Sequence, residues 1–82
     1  MSTESPSVKS AQRTLELLEL VARHPHGMTF VELADQLSYP KSSLHGLLQT
    51  VVAMKWLTLD SEDRRYSIGV RPWEVGQAFR PS

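Results

Sequence analysis

The sequence predicts an α+β domain, mainly α, in which three helices are followed by a two-stranded β-hairpin. Three observations carry this reading. Apolar residues recur at helical spacing through three stretches between residues 10 and 54; the period changes to two beyond Lys55; and proline or glycine punctuates the junctions.

The 82 residues suffice for one small domain with a modest core. No cysteine is present, so neither disulfides nor thiolate-bound zinc reinforce it, which suits a reducing compartment. The opening MSTESPS lacks the apolar stretch of a signal peptide, and no apolar run approaches a membrane span. A soluble, cytoplasmic protein with no membrane partner is expected.

Net charge is zero, with nine basic and nine acidic residues, so the overall balance does not announce a nucleic-acid binder. Its distribution is mildly polar. Residues 1–37 set Lys9, Arg13 and Arg23 against five carboxylates, leaving −2. Residues 38–82 set Lys41, Lys55, Arg64, Arg65, Arg71 and Arg80 against four, leaving +2. A basic face in the second half is compatible with this.

Residues 1–7 read as a disordered tail. Ser10 is the expected N-cap of a first helix ending near Arg23. Ala11, Leu15, Leu18 and Ala22 fall on one face of it, while Leu17, Leu20 and Val21 lie outside that stripe. This sector is wider than the roughly 100° that one core contact needs. Two accounts stand: a second buried side against another subunit, or a helix wrapped by its own small domain.

His24-Pro25-His26-Gly27 ends that helix. The two histidines have no third ligand at suitable spacing, so exposed loop histidines are expected rather than a metal site. Thr29-Phe30-Val31-Glu32 is a capping box, opening a short second helix with Val31, Leu33, Ala34 and Leu37 on its apolar side. Ser38-Tyr39-Pro40 stops it, and proline at the first helical position opens a third helix running to about Met54. Leu44, Leu47, Leu48, Val51 and Val52 form its inner face. Two helices joined by a short turn, the second longer, make a helix-turn-helix.

Trp56-Leu57-Thr58-Leu59 and Arg65-Tyr66-Ser67-Ile68 read as strands around the polar turn Asp60–Arg64, which together form a wing. From Pro72 to Phe79 a further helix begins. The whole is a three-helix winged helix-turn-helix.

A helix of this kind fits the DNA major groove and meets base edges with its first residues. On the third helix, Ser42, His45, Gly46, Gln49 and Ala53 turn away from the leucines, with Lys41 and Ser43 flanking. Short uncharged polar residues are a poor choice for mere solvation, where Glu and Lys are usual. Ser42 and Ser43 can meet phosphates or bases, Gln49 suits an adenine edge, and His45 can donate to guanine. Thr29 and Tyr39, at the starts of helices 2 and 3, join them near natural phosphate ligands. Arg64 and Arg65 on the hairpin complete the candidate DNA-binding set.

These motifs resemble the N-terminal domain of the IclR family of bacterial transcriptional regulators. The resemblance runs from about Val8 to Phe79. It is carried by Ser10-Ala11-Gln12-Arg13, Met28-Thr29-Phe30-Val31-Glu32-Leu33-Ala34 and Tyr39-Pro40-Lys41-Ser42-Ser43-Leu44-His45, then by Leu47-Leu48-Gln49-Thr50 and Arg65-Tyr66-Ser67-Ile68-Gly69. It implies sequence-specific binding of double-stranded DNA by a homodimer, joined through helix 1 and a linker helix. The expected domains are a DNA-binding unit over 8–70 and the start of the linker helix over 71–82. A small-molecule effector enters only where a C-terminal domain exists in the full-length protein. Two positions depart from the family pattern: Gly46 stands where arginine is common, and Lys55 where glycine is common.

A winged helix used for protein contacts, without DNA binding, is the competing expectation. No nucleophile-base pair, phosphate loop or ligand cluster is legible, so neither an enzyme, a cofactor nor a metal is expected.

Overall fold

The computed structural model of the protein describes residues 8–82, so the tail expected over 1–7 lies outside the described residues. The elements run α1 (Lys9–Ala22), β1 (Met28–Thr29), α2 (Phe30–Gln36), α3 (Lys41–Ala53), β2 (Leu57–Leu59), β3 (Arg65–Ile68) and α4 (Val70–Gly76). The strands form an antiparallel sheet in the order β1-β3-β2. The two-stranded wing hairpin β2–β3 is therefore joined by a third strand, β1, from ahead of α2. In β1, Met28 pairs with Tyr66 and Thr29 with Arg65. Two residues show no alternation of their own, so nothing local marked them as a strand.

α1 starts at Lys9 with Val8 as its N-cap, which offers no side chain to the first turn. Ser10 is thus inside the helix rather than capping it, and its carbonyl accepts the Thr14 hydroxyl at 2.6 Å. The face that enters the core is Leu17, Leu20 and Val21. Leu15 is 61% exposed, Ala11 and Ala22 are exposed, and Leu18 is half-buried. The regular stripe read from the sequence is therefore largely the outward side. α1 packs against α3 and β3, which sit over the Leu17–Val21 side.

Gly27 turns the chain from α1 into β1 with φ +87°, and its N–H donates to the His24 carbonyl at 2.8 Å. A Cβ there would press on Ser67 Oγ at 2.8 Å, so glycine answers both a conformational and a steric demand. His24 is half-buried, and its Nδ1 hydrogen-bonds the Leu20 carbonyl at 3.0 Å, so it is no free loop histidine.

The capping box forms as its spacing requires. Glu32 N–H donates to Thr29 Oγ1 at 3.2 Å and Thr29 N–H to Glu32 Oε1 at 3.0 Å. Val31 turns outward, 69% exposed, while Phe30 packs against the core in its place. Pro40 is the N-cap of α3 rather than its first helical residue, and α3 ends at Ala53. Leu44, Leu48 and Val51 of α3 are buried with Leu33 of α2, Met28 of β1, Leu57 of β2 and Tyr66 of β3. Each such leucine contributes roughly 1.5–3 kcal/mol by leaving water.

Lys55 links α3 to β2 with φ 71°, the left-handed region that a side chain resists. Its carbonyl accepts the Arg71 N–H at 3.0 Å, and the Trp56 carbonyl accepts the Gly69 N–H at 2.9 Å. These two bonds fix the origin of α4. No residue of α4 is buried, and Trp73, Val75 and Phe79 stand exposed on and just beyond it. No helix among the described residues is long and apolar enough to cross a membrane.

Candidate nucleic-acid interface

α3 is docked rigidly by one side, and its other side is open. Leu44, Leu48 and Val51 fix its rotation, which leaves Lys41, Ser42, His45, Gly46, Gln49 and Ala53 exposed. The helix carries no carboxylate along its length. Pro40 lends no side-chain oxygen to the first turn, so the N–H groups there are not capped by a side chain. Gly46 sits in open space: a Cβ built on it has no neighbour within 4 Å.

The flanks of this face differ. Toward the wing, the His45 ring stacks on Phe30 with centroids 4.2 Å apart and an interplanar angle of 15°. That contact ties the start of α2 to α3. A shallow depression lined by His45, Gln49, Ala53, Leu59 and Tyr66 separates α3 from the hairpin. Toward α1, Ser43 is half-buried and borders a second cleft with Ser10, Arg13, Gly46 and Thr50. Ser43 therefore flanks the outward face rather than standing on it.

Three of the residues expected at the interface already have internal partners. Thr29 Oγ1 is taken by the capping box. Tyr39 donates its hydroxyl to Glu16 of α1 and lies under the Arg13 guanidinium, 4.8 Å from the ring centre. Burial and the Glu16 carboxylate push the Tyr39 hydroxyl up to about 12, while that bond and one from Gln12 hold Glu16 below its usual range. Arg65 Nη1 donates to the Gly27 carbonyl at 3.2 Å and to Glu32 Oε1 at 3.3 Å. The Thr29 N–H, ahead of the Arg65 charge, holds the Glu32 carboxyl below its ordinary value. Arg65 is thus a strut between wing and α2. Its neighbour Arg64, with φ 60°, is exposed at the hairpin turn.

Two of the three acidic residues of that turn, Asp60 and Asp63, are occupied by its backbone. Asp60 Oδ1 accepts the N–H groups of Glu62 at 2.8 Å and Asp63 at 3.0 Å, and Asp63 Oδ1 accepts that of Arg65 at 3.0 Å. The two backbone donors hold Asp60 below its usual range. Among the described residues no cluster of histidines and carboxylates suited to a metal ion occurs.

A helix-turn-helix whose second helix is open on one side, followed by a β2–β3 hairpin that β1 extends to a three-stranded sheet, defines a winged helix-turn-helix domain. Residues 10–61 match the family model described as the IclR helix-turn-helix domain, and the chain belongs to that family. It is similar to the transcriptional repressor IclR of Escherichia coli K12, with 33% identity over 75 residues, 92% of this chain and 27% of that protein. It is also similar to the regulator BhcR of Paracoccus denitrificans, with 29% identity over 76 residues, 93% of this chain and 27% of that one. Among solved structures, the repressor BlcR of Agobacterium tumefaciens superposes with a TM-score of 0.76 at 30% identity, over 93% of this chain and 30% of that one. An IclR-family regulator from Rhodococcus does so with a TM-score of 0.72 at 32% identity, covering 99% and 35%. The chain thus spans about a quarter of the length of the curated relatives it matches.

Proposed function

We propose that this chain is the DNA-binding domain of a transcriptional regulator and reads double-stranded DNA by laying α3 in the major groove. The observation that carries this is the outward face of α3. Ser42, His45 and Gln49 stand exposed on a helix free of carboxylates, whose opposite side is locked in the core. Ser42, His45 and Gln49 are the base-reading candidates, and Lys41 and Arg64 the phosphate-contacting ones. Arg65 and Thr29 act by holding the wing and the start of α2 in place.

We further propose a homodimer on a partly palindromic operator. Leu15 and Ala22 on the outer side of α1, with Trp73 and Phe79 around α4, are the apolar surface that supports it. Its half-sites then lie about one helical turn of DNA apart, or a multiple of it. Control by a small molecule belongs to a longer protein carrying a further domain.

The test is a panel of duplexes selected by the chain and varied one base pair at a time. Gln49→Ala is expected to lose about 1–3 kcal/mol of discrimination at one position. Arg64→Ala is expected to weaken every duplex alike. Normal binding of the whole panel by both variants contradicts this docking.

A further inference from the structure

We infer that the cleft between α1 and α3 seats a phosphate of the DNA backbone, with Arg13 as the residue that contacts it; this rests on the DNA-binding reading above. A helix lying in the major groove meets two sugar-phosphate walls, one along each flank. On one flank of α3 stands the wing with Arg64. On the other stands the first half of α1, and the cleft there is lined by Ser10, Arg13, Ser43, Gly46, Leu47 and Thr50, with a volume of about 370 Å³. It opens directly onto the outward face of α3 at Gly46.

The cleft is largely apolar, and the polar residues along it suit an anion. Its polar lining residues are Arg13, Ser10, Ser43 and Thr50, with no acidic residue among them. Arg13 is held by an aromatic ring rather than by an acid: its guanidinium lies 4.8 Å from the centre of Tyr39. Among the described residues it makes no ion pair and no hydrogen bond. The cation–π contact holds the guanidinium without using its N–H donors, which leaves them available for a phosphate. Glu16 is the carboxylate whose field reaches Arg13, and both its oxygens are already engaged, Oε1 by the Tyr39 hydroxyl and Oε2 by Gln12 at 2.9 Å. Glu16 makes no ion pair with Arg13 among the described residues, and Tyr39, a side chain that looked like a DNA contact, becomes the platform for one.

The experiment measures duplex affinity against salt for the wild-type chain, R13Q and R13K, on two unrelated duplexes, with thermal unfolding alongside. R13Q is expected to reduce the steepness of log K against log salt by about 0.9 and to weaken both duplexes about eightfold at 0.1 M salt. R13K is expected to keep the slope. An R13Q protein that unfolds like wild type with an unchanged slope overturns the inference, as does a loss confined to one duplex. Should R13Q not fold, Ser10→Glu replaces it, since Ser10 is exposed and lines the same cleft. The new carboxylate is expected to weaken both duplexes, and unchanged binding overturns the inference. Wild-type chain that binds neither duplex removes the DNA-binding reading and this inference together, whereas wild-type binding unaffected by R13Q removes the inference alone.

Discussion

Replacing Gly46 by alanine tests whether α3 is placed as described. Glycine in a helix interior costs about 1 kcal/mol relative to alanine, because its backbone loses more freedom on folding. Normally a steric charge offsets part of the gain on substitution. Here a Cβ meets nothing within 4 Å, and the residue is not in the left-handed region, so the full gain is expected. For a domain of 60–100 residues, which includes this chain of 82, a change of about 1 kcal/mol moves Tm by roughly 4–8 °C. Thermal unfolding followed by far-UV circular dichroism reads this directly. A Tm equal to or below that of wild type refutes the reasoning, since it requires either a non-helical backbone at Gly46 or a packed environment around it. Gly46→Arg occupies the same open space and keeps most of the gain, arginine being nearly as good a helix former. It also places a cation at the centre of the outward face, so duplex affinity is expected to rise and the salt slope to steepen by about one.

Thr29→Ala removes the hydroxyl that caps α2 and is expected to lower stability by about 1 kcal/mol in denaturant unfolding. Lys55→Gly relieves the left-handed backbone at φ 71° and, against the greater unfolded-state freedom of glycine, is expected to raise Tm by a few degrees. Stability should fall in acid: the Glu16 and Glu32 carboxyls are depressed in the fold, so their contribution is complete above about 4.5 and is lost as pH drops through their lowered values. Glu32→Gln should flatten that acid limb of Tm against pH. The Tyr39 hydroxyl behaves oppositely, because its folded value is raised from 10.0 to about 12. Its contribution is present below pH 10 and disappears as pH climbs toward 12, an alkaline loss that Tyr39→Phe should abolish.

The parts of this fold that were legible in the sequence are those encoded within a few residues. The Thr29–Glu32 box depends on a spacing of three, the α3 leucines on a helical period, and the wing on strict alternation around a polar turn. What was not legible depends on distance along the chain. Both sides of α1 carry leucines, so periodicity alone could not decide between the Leu15 and Leu17 faces; only α3 and β3 packing on one side settles it. β1 is a strand because Tyr66 and Arg65 lie beside it, 36 or more residues later. The same reason hid the partners of the candidate site. Tyr39 finds Glu16 across 23 residues and Arg65 finds Glu32 across 33, so two side chains that look free in the sequence are tethered in the fold. Phe30 could have been noticed, since His45 is an aromatic partner of the right kind, but no local pattern joins them.

Fluorescence anisotropy over a salt series tests most directly whether α3 binds duplex DNA. The duplexes are a fragment from upstream of the protein's own gene and a scrambled control. With three phosphates neutralised per chain, at Lys41, Arg64 and Arg13, log K is expected to fall with log salt at a slope of roughly −3 per bound chain, with tighter binding to the native fragment. Absence of binding to either duplex at low salt contradicts the account and points to a winged helix that meets proteins instead.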